Sequence, residues 1–361
     1  MAPDLPLDPV LIRDPAQALP FDHAALARYL AAAGQTLDDT PLRQFAGGYG
    51  NLNYLIRVGG RWAVLRRPPP GEIPKGANDM GREHRALSIL SPVWPLAPRP
   101  LAYCEDAGVL GAPFLISEFR AGLPLHGTAP LGAAMTPGTA RALSLLQTDI
   151  LTQLHAFDPA AIGALGLGRA SGFAERTLRG WSARLHGAGA GVPPEAVALF
   201  DRLGQVGPAD ARLTVIHNDF KLDNVVVDPV TLAPNAVLDW DMATLGAPFF
   251  DLATMLSYWA EADDPAGLKA INLTHSEAPG ALSRRALAEA YVQATGFDSP
   301  TDEADLRFFL ALAFGKLGVV CLQLYDKFRA DPEGNRRNEK FGAAAPGAFA
   351  RGLDVLDGGL I

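Results

Sequence analysis

Cysteine is nearly absent from this chain. Two residues, Cys104 and Cys321, among 361 exclude a disulfide framework and a Cys-rich zinc site. A basic excess is missing too. Lys and Arg number 31 against 39 Asp and Glu, a net charge of −8, which argues against a general nucleic-acid or anionic-membrane binder but not against a local basic pocket for a phosphate. Long apolar runs are lacking as well. The longest covers residues 308–324, is interrupted by Lys316, and falls short of the roughly 20 residues of a membrane span; it reads as a buried helix. The first residues, Met-Ala-Pro-Asp, have no basic segment leading into an apolar one, so no signal peptide is expected and a reducing cytoplasm is the expected setting. Hydrophobic residues make up 48% of the chain, enough for a sizeable core, and the length suggests two domains.

Residues 1–20, rich in Pro and Asp, are expected to form an extended arm. Residues 22–33 read as a helix, with Asp22 as cap, Leu26, Tyr29 and Leu30 on one face, and Gly34 as stop. Strands are expected at 42–46, 52–58 and 61–66, separated by Gly47-Gly48-Tyr49-Gly50-Asn51 and by the turn Gly59-Gly60, which predicts antiparallel hairpins. Pro68-Pro69-Pro70-Gly71 breaks the sheet. A helix over 78–90 carries Arg82, Glu83 and Arg85, and two strands follow near 101–105 and 113–119. From about residue 137 the pattern is mostly helical, including 139–155 and 302–328, with short β-branched runs at 213–216, 224–227 and 236–238. The expected fold class is α+β: a small antiparallel-sheet domain over residues 1–118, then a larger helical domain over 119–361.

The strongest chemical signal is His217-Asn218-Asp219-Phe220-Lys221-Leu222-Asp223-Asn224, followed by Leu238-Asp239-Trp240-Asp241. A carboxylate, an amide five residues later and a second carboxylate after a hairpin suit phosphoryl transfer. Asp219 can accept a hydroxyl proton, while Asn224 and Asp239 are hard oxygen ligands for Mg²⁺. Turns also favour Asp and Asn for backbone reasons, so the upstream features matter. Gly47, Gly48 and Gly50, with Asn51, stand where backbone N–H groups can approach phosphates, although a hairpin also favours glycine. Val64 and Arg66 share one face of a strand, placing an apolar contact for a base beside a cation for phosphates; Arg67 lies on the other face. Glu83 on the next helix is the natural carboxylate partner of Arg66, with a solvated helix face as its plain alternative. Glu118 and Phe119 end a strand whose backbone groups suit an adenine edge.

With these residues in view, the chain resembles the aminoglycoside phosphotransferase family of the protein-kinase-like fold. The wording Gly-Gly-x-x-Asn, Leu-Arg-Arg-Pro-Pro, Arg-Glu-His-Arg-Ala-Leu and Gly-Ala-Pro-Phe is similar to the kinase-like domain of acyl-CoA dehydrogenase family members 10 and 11. The resemblance implies a bilobal fold, ATP and Mg²⁺, Asp219 as catalytic base, and Asn224 and Asp239 as metal ligands. It also implies that Asp251 steadies the catalytic loop, its alternative being a helix N-cap, and that His217 props that loop. His155 reads as packing. Two departures stand out: Arg66 occupies the place of a kinase lysine, and Gly50 the place of a serine in this branch. Arg is a permanently charged fork with different geometry from Lys, and Gly50 removes a hydroxyl donor.

The expected activity is therefore transfer of the γ-phosphate to a hydroxyl of a small molecule, with no nucleic-acid or membrane partner. A nucleotide-binding pseudoenzyme that regulates a partner is the alternative, against which Asp219, Asn224 and Asp239 are all intact. A protein kinase is disfavoured, because no Ala-Pro-Glu end follows Asp239; Ala247-Pro248-Phe249 comes instead. The branch points to a hydroxylated acyl acceptor such as a hydroxyacyl-CoA, which is anionic; an aminoglycoside, the rival, is polycationic and needs acidic residues. The run Lys327-Phe328-Arg329, Arg336-Arg337 and Lys340 is cationic, a solvated helix end being its alternative. The acidic stretch Glu261-Ala262-Asp263-Asp264 is short. The balance favours an anionic or neutral acceptor.

Overall fold

The computed structural model describes residues 11–47, 50–69, 78–125, 135–169, 171–188, 191–207, 212–272 and 274–359. In chain order, α1 (His23–Ala32) precedes β1 (Leu52–Val58), β2 (Arg61–Arg67), α2 (Met80–Leu90), β3 (Pro100–Cys104), the single turn α3 (Ala107–Leu110), β4 (Phe114–Glu118) and β5 (Leu123–Pro124). Then come α4 (Pro137–His155), α5 (Phe173–His186), α6 (Pro194–Gln205), β6 (Thr214–Ile216), β7 (Val225–Val227), β8 (Pro234–Val237) and β9 (Thr244–Gly246). The helices α7 (Pro248–Tyr258), α8 (Ala266–Ala270), α9 (Arg284–Thr295), α10 (Pro300–Ala330) and α11 (Phe341–Leu356) follow. The architecture is α+β. It divides into two units, Met1–Pro124 with Val225–Ala243, and Leu125–Asn224 with Thr244–Ile361.

In the first unit the sheet order is β1-β2-β4-β3, antiparallel throughout. Alternation along β2 buries Ala63 and Leu65 against Leu26 and Leu30 of α1, together with Tyr54, Phe114 and Ile116, and turns Val64 and Arg66 to the opposite face. Asp22 caps α1 by accepting the Ala25 N–H at 2.9 Å, and Asp79 caps α2 by accepting that of Arg82 at 2.9 Å. The strand expected at 42–46 is reduced to isolated bridges, Gln44 to Tyr54 and Phe45 to Ile12. Its backbone is shared between two partners: Phe45 N–H donates to Asn53 O, while Gln44 O accepts from Arg13. The N-terminal arm is thus sewn to the sheet over residues 11–13. The hairpin β7–β8 pairs with β5 and buries Val225, Val226 and Val227. This pairing keeps residues 225–243 with the first unit and carries it to Pro124, which differs from a single boundary at residue 118.

The second unit is helical around the short ladder β6–β9. Its axis is α10, 31 residues long, opened by a capping box of Ser299 and Asp302. By length and composition α10 is apolar enough to cross a membrane, but 78% of its most apolar window is buried inside the protein. A core helix wrapped by α5, α6, α7 and α11 accounts for that pattern. Gly318 of α10 admits the ring of Phe349 from α11, since a Cβ there would lie 2.5 Å from the ring edge. Phe349 is fully buried, so its ring would have to shift within the core. Gly318→Ala is therefore expected to destabilise the protein by about 1–3 kcal/mol through overpacking, read as a lower midpoint in denaturant unfolding.

Candidate active site

In the first unit one cation gathers three carboxylates. Arg66 Nε lies 2.8 Å from Glu83 Oε2, its Nη2 pairs with Asp239 Oδ1, and the same nitrogen is 3.6 Å from Asp241 Oδ2. The fork of a guanidinium makes this possible, since its nitrogens face different partners. The strand face, the first turn of α2 and the segment after β8 supply the members. Asp239 has a left-handed backbone, φ 72°, a conformation that Asp tolerates better than most residues and that turns the chain sharply before Trp240. Trp240 is fully buried and packs edge-on against Trp94, anchoring the turn.

A second layer holds this cluster. Asn51 Nδ2 donates to Asp241 Oδ2 at 3.1 Å, and Asn78 Nδ2 donates to both Asn51 Oδ1 and Gly50 O at 2.7 Å. Arg82 donates to the Asp241 carbonyl at 3.1 Å. Gly50 and Asn51 are thereby tied to the Arg66 cluster, and Val64 shares the Arg66 face of β2. Gly47 is described and crowded by nothing; Gly48 lies outside the described residues. Arg67, on the other face, donates to Leu110 O at 2.6 Å. Glu118 and Phe119 end β4, but their N–H groups already donate to Arg99 O at 2.9 Å and Trp62 O at 3.4 Å. An adenine edge would have to use neighbouring carbonyls or displace those bonds.

In the second unit the loop after β6 is built on one buried carboxylate. Asp251 in α7 accepts the N–H groups of His217 and Asn218, each at 2.6 Å, and meets His155 Nε2 at 3.3 Å. Asp251 is fully buried. It is not an N-cap: α7 begins at Pro248 with Ala247 as the capping position, so Asp251 sits in the first turn. His155 does more than pack, because its Nδ1 also meets the Tyr291 hydroxyl at 2.7 Å. His217 is fully buried, and its Nδ1 accepts the Asp219 N–H at 3.3 Å. Asn218 is left-handed, φ 69°, so the loop turns abruptly and exposes the next side chain.

That side chain is Asp219, whose carboxylate receives two ammonium groups: Lys221 Nζ on Oδ2 at 2.6 Å and Lys316 Nζ on Oδ1 at 2.9 Å. Burial alone would raise its carboxyl; the two lysines outweigh it and hold Asp219 far below the usual carboxylate range. The Tyr258 hydroxyl is pushed up by burial and by the Asp219 charge, with Lys221 opposing. Asn224 donates from Nδ2 to the Asp219 carbonyl at 3.0 Å, which orients its amide and leaves Oδ1 as its acceptor atom.

Lys221, Lys316 and Asp241 did not emerge from the motif reading. Lys221 stands two residues after Asp219 inside the quoted string, and Lys316 is the one charge that breaks the apolar run of α10. Both signals were chemical rather than positional.

The first-unit cluster has a measurable pH signature. Burial pushes the Glu83 carboxyl up to about 7 from its ordinary 4.5; Arg66 pulls it down, and Asp239 and Asp241 push it further up. A carboxyl raised on folding stabilises the fold while protonated. That contribution is complete below about 4.5 and disappears as pH rises through about 7. Glu83→Gln, which keeps the neutral form at every pH, should gain stability relative to the wild type across this window. Denaturant unfolding of both proteins from pH 4.5 to 7.5, in about half-unit steps, checks it, and a pH-independent difference would contradict it.

The model of the phosphotransferase enzyme family matches residues 41–308. Chicken acyl-CoA dehydrogenase family member 11 is 28% identical over 352 residues, covering 93% of this chain and 43% of that protein. The chain thus spans under half the length of this curated relative. Among solved structures, a putative aminoglycoside phosphotransferase from Ralstonia eutropha JMP134 superposes with a TM-score of 0.73 at 24% identity, covering 94% of this chain and 99% of that one. A thermostable aminoglycoside phosphotransferase mutant, solved as a ternary complex with ADP and hygromycin B, gives a TM-score of 0.59 at 17% identity, covering 93% and 99%. These likenesses establish a protein-kinase-like fold of the aminoglycoside phosphotransferase type. With more than half of its length matched by the family model, the chain belongs to the phosphotransferase enzyme family.

Proposed function

We propose that the protein transfers the γ-phosphoryl group of Mg²⁺-bound ATP to a hydroxyl of a small anionic or neutral molecule, a hydroxylated acyl compound such as a hydroxyacyl-CoA. The observation that carries the reading is Asp219, an ionised carboxylate with a side chain 20% exposed, on a loop whose backbone a buried carboxylate holds. Family membership supports the phosphotransferase chemistry, and the ADP complex of a structural neighbour supports the nucleotide.

In the proposed reaction the acceptor oxygen attacks the γ-phosphorus, the bond to the β,γ-bridging oxygen breaks, and ADP leaves. Asp219 orients the hydroxyl and takes its proton, which passes on to water. A carboxylate held this acidic is a weak base, which suits a loose phosphoryl-transfer transition state where the proton moves late and positioning dominates. Arg66 binds phosphate oxygens with its fork, oriented through Nε by Glu83. Val64 offers an apolar contact to the base.

Asp239 and Asn224 are each hard oxygen donors of the kind Mg²⁺ takes, a carboxylate and an amide, and two such ligands leave positions for phosphate oxygens. Among the described residues no group of three or more His, Cys, Asp and Glu is placed to hold a metal unaided. When bound, the ion neutralises phosphate charge.

Charge selects the acceptor class. Lys221 and Lys316 both contact the Asp219 carboxylate, which favours an anionic or neutral acceptor over a polycation. The acidic stretch that a polycation would need is spent elsewhere: Glu261 and Asp264 pair with Arg284 at 3.2 and 2.5 Å, and Asp263 with Arg351 at 2.9 Å. The cationic run from Lys327 to Lys340 belongs to the same unit. A reducing cytoplasm is the setting proposed for the reaction.

ADP release on a panel of hydroxyacyl-CoA esters, hydroxy acids, sugars, amino alcohols and kanamycin tests the reading. Asp219→Asn is expected to lower kcat by about 10²–10⁴-fold with ATP affinity unchanged. Near-normal turnover in that variant would remove Asp219 from the chemistry, and kanamycin outpacing every hydroxyacyl compound would overturn the acceptor class. Nucleotide bound without turnover of any acceptor would favour a regulatory pseudoenzyme. In calorimetric titration with Mg²⁺-ATP, Arg66→Ala should weaken binding by about tenfold or more, and Arg67→Ala should leave it near wild type.

A further inference from the structure

Two ammonium groups approach Asp219, and they are not equivalent. Lys316 lies in the middle of α10 with its side chain 4% exposed, inside an apolar run where a charge needs a partner. Its Nζ donates to Asp219 Oδ1 at 2.9 Å and to Asn218 O at 2.8 Å, and stands 5.6 Å from the centre of the Phe250 ring. Two oxygens and an aromatic face thus occupy it. Pulling it away would strand a charge in the interior. Lys221 is carried by the loop itself, and its side chain is 18% exposed. Its Nζ meets Oδ2 at 2.6 Å and stands 5.2 Å from the centre of the Tyr258 ring. A partly exposed lysine can release its partner and let water solvate the ammonium at small cost.

The Asn218 peptide shows why a fixed cation belongs there. Its N–H is held by Asp251 at 2.6 Å and its carbonyl by Lys316 at 2.8 Å, so a left-handed residue is gripped at both ends. The same ammonium that holds this carbonyl also holds the carboxylate of the next residue. Backbone and side chain of the loop are therefore registered to one point on α10, 97 residues away in sequence.

We propose that Lys316 is a positioning residue that pins Asp219 Oδ1 and the Asn218 carbonyl, so that Oδ2 is the oxygen presented to the acceptor hydroxyl and Lys221 is the partner that the hydroxyl displaces. This assignment rests on the reading of Asp219 as the acceptor-binding carboxylate. Lys316 touches neither substrate; it acts through Asp219. A lysine that merely filled the core would be indifferent to which oxygen Asp219 presents and to whether Asp219 is there.

The test uses the full chain carrying Lys316→Met, Lys316→Arg, Asp219→Asn and the double variant Lys316→Met/Asp219→Asn, assayed by ADP release with a hydroxyacyl-CoA. Lys316→Met should lower kcat by about 10²-fold, the size expected for a misplaced catalytic group, with acceptor KM changed less than about threefold. Lys316→Arg, which keeps the charge, should recover part of the loss. In the Asp219→Asn background Lys316→Met should cost nothing further, because the two act as one unit. Wild-type kcat in Lys316→Met, or an undiminished further loss in the double variant, would overturn the proposal. A crystal structure of the wild type with the hydroxyacyl-CoA and a non-hydrolysable ATP analogue needs no variant to fold. It should show the hydroxyl on Oδ2, Lys221 moved and Lys316 still on Oδ1; a hydroxyl on Oδ1, or Lys316 displaced, would overturn the proposal. Failure of the functional reading looks different: the wild type would release no ADP above its Asp219→Asn variant. In that case a crystal structure of Lys316→Met with Asp219 turned out of place would still support the pinning, and Asp219 unmoved would refute it.

Discussion

A carboxylate with no access to water, Asp251, is the constraint on which the second unit's chemistry depends. A buried ion survives only with its lone pairs filled. Asp251 fills them with the N–H groups of His217 and Asn218 and with the His155 ring. Those donors are also the loop's buried backbone groups, which would otherwise be orphaned. Each need answers the other. The loop cannot relax out of its left-handed turn at Asn218 without exposing the carboxylate to an apolar core, and Asp219 is held where the turn ends. The His155–Tyr291 contact fixes the ring that completes the set, so support for the loop extends from α7 into α4 and α9.

The first unit solves a different problem. Three acidic side chains converge on Arg66, and they cannot all ionise cheaply around one positive charge. Burial acts first on Glu83 and pushes it up to about 7, while Arg66 itself is driven upward, desolvation opposing and Asp239, Glu83 and Asp241 prevailing. Glu83 therefore relieves part of the crowding by holding a proton near neutrality. Asp239, with a side chain 35% exposed, is the member best placed to exchange Arg66 for another cation. Replacing Arg66 by a lysine would lose the separate Nε and Nη contacts that hold Glu83 and Asp239 at once.

Much of this was legible from pattern alone. Ala63 and Leu65 face the core and Val64 and Arg66 the opposite side of the strand, so the period of two placed Arg66 beside Glu83 and Arg67 away from it. The cap at Asp22 announced its helix. What stayed hidden depended on contacts between distant residues. Lys316 reads as a blemish in an apolar run until α10 is seen to pass the Asp219 loop. Asp251 reads equally as a cap until Ala247 and Pro248 are seen to start α7. The segment at 42–46 has strand-like alternation, but its two edges are used by different neighbours, which no local pattern encodes.

The two clusters differ in the charges around their central group. Around Arg66 gather three carboxylates, one of them raised toward protonation, and Arg82 adds a second cation at the Asp241 carbonyl. Around Asp219, two lysines contact the carboxylate, and Asp251 grips the backbone of the same loop. In the proposed reaction a divalent cation would be held through Asp239, and phosphate oxygens or an anionic acceptor would suit the lysines at Asp219. A polycationic acceptor would instead place its ammonium groups beside Lys221 in a partly desolvated site, where like charges repel most strongly. To bind, it would need acidic residues close at hand, and Asp264 and its neighbours are already neutralised by Arg284 and Arg351. On the proposed reading, the lysines at Asp219 disfavour the polycationic class of acceptor for which the wider family is named.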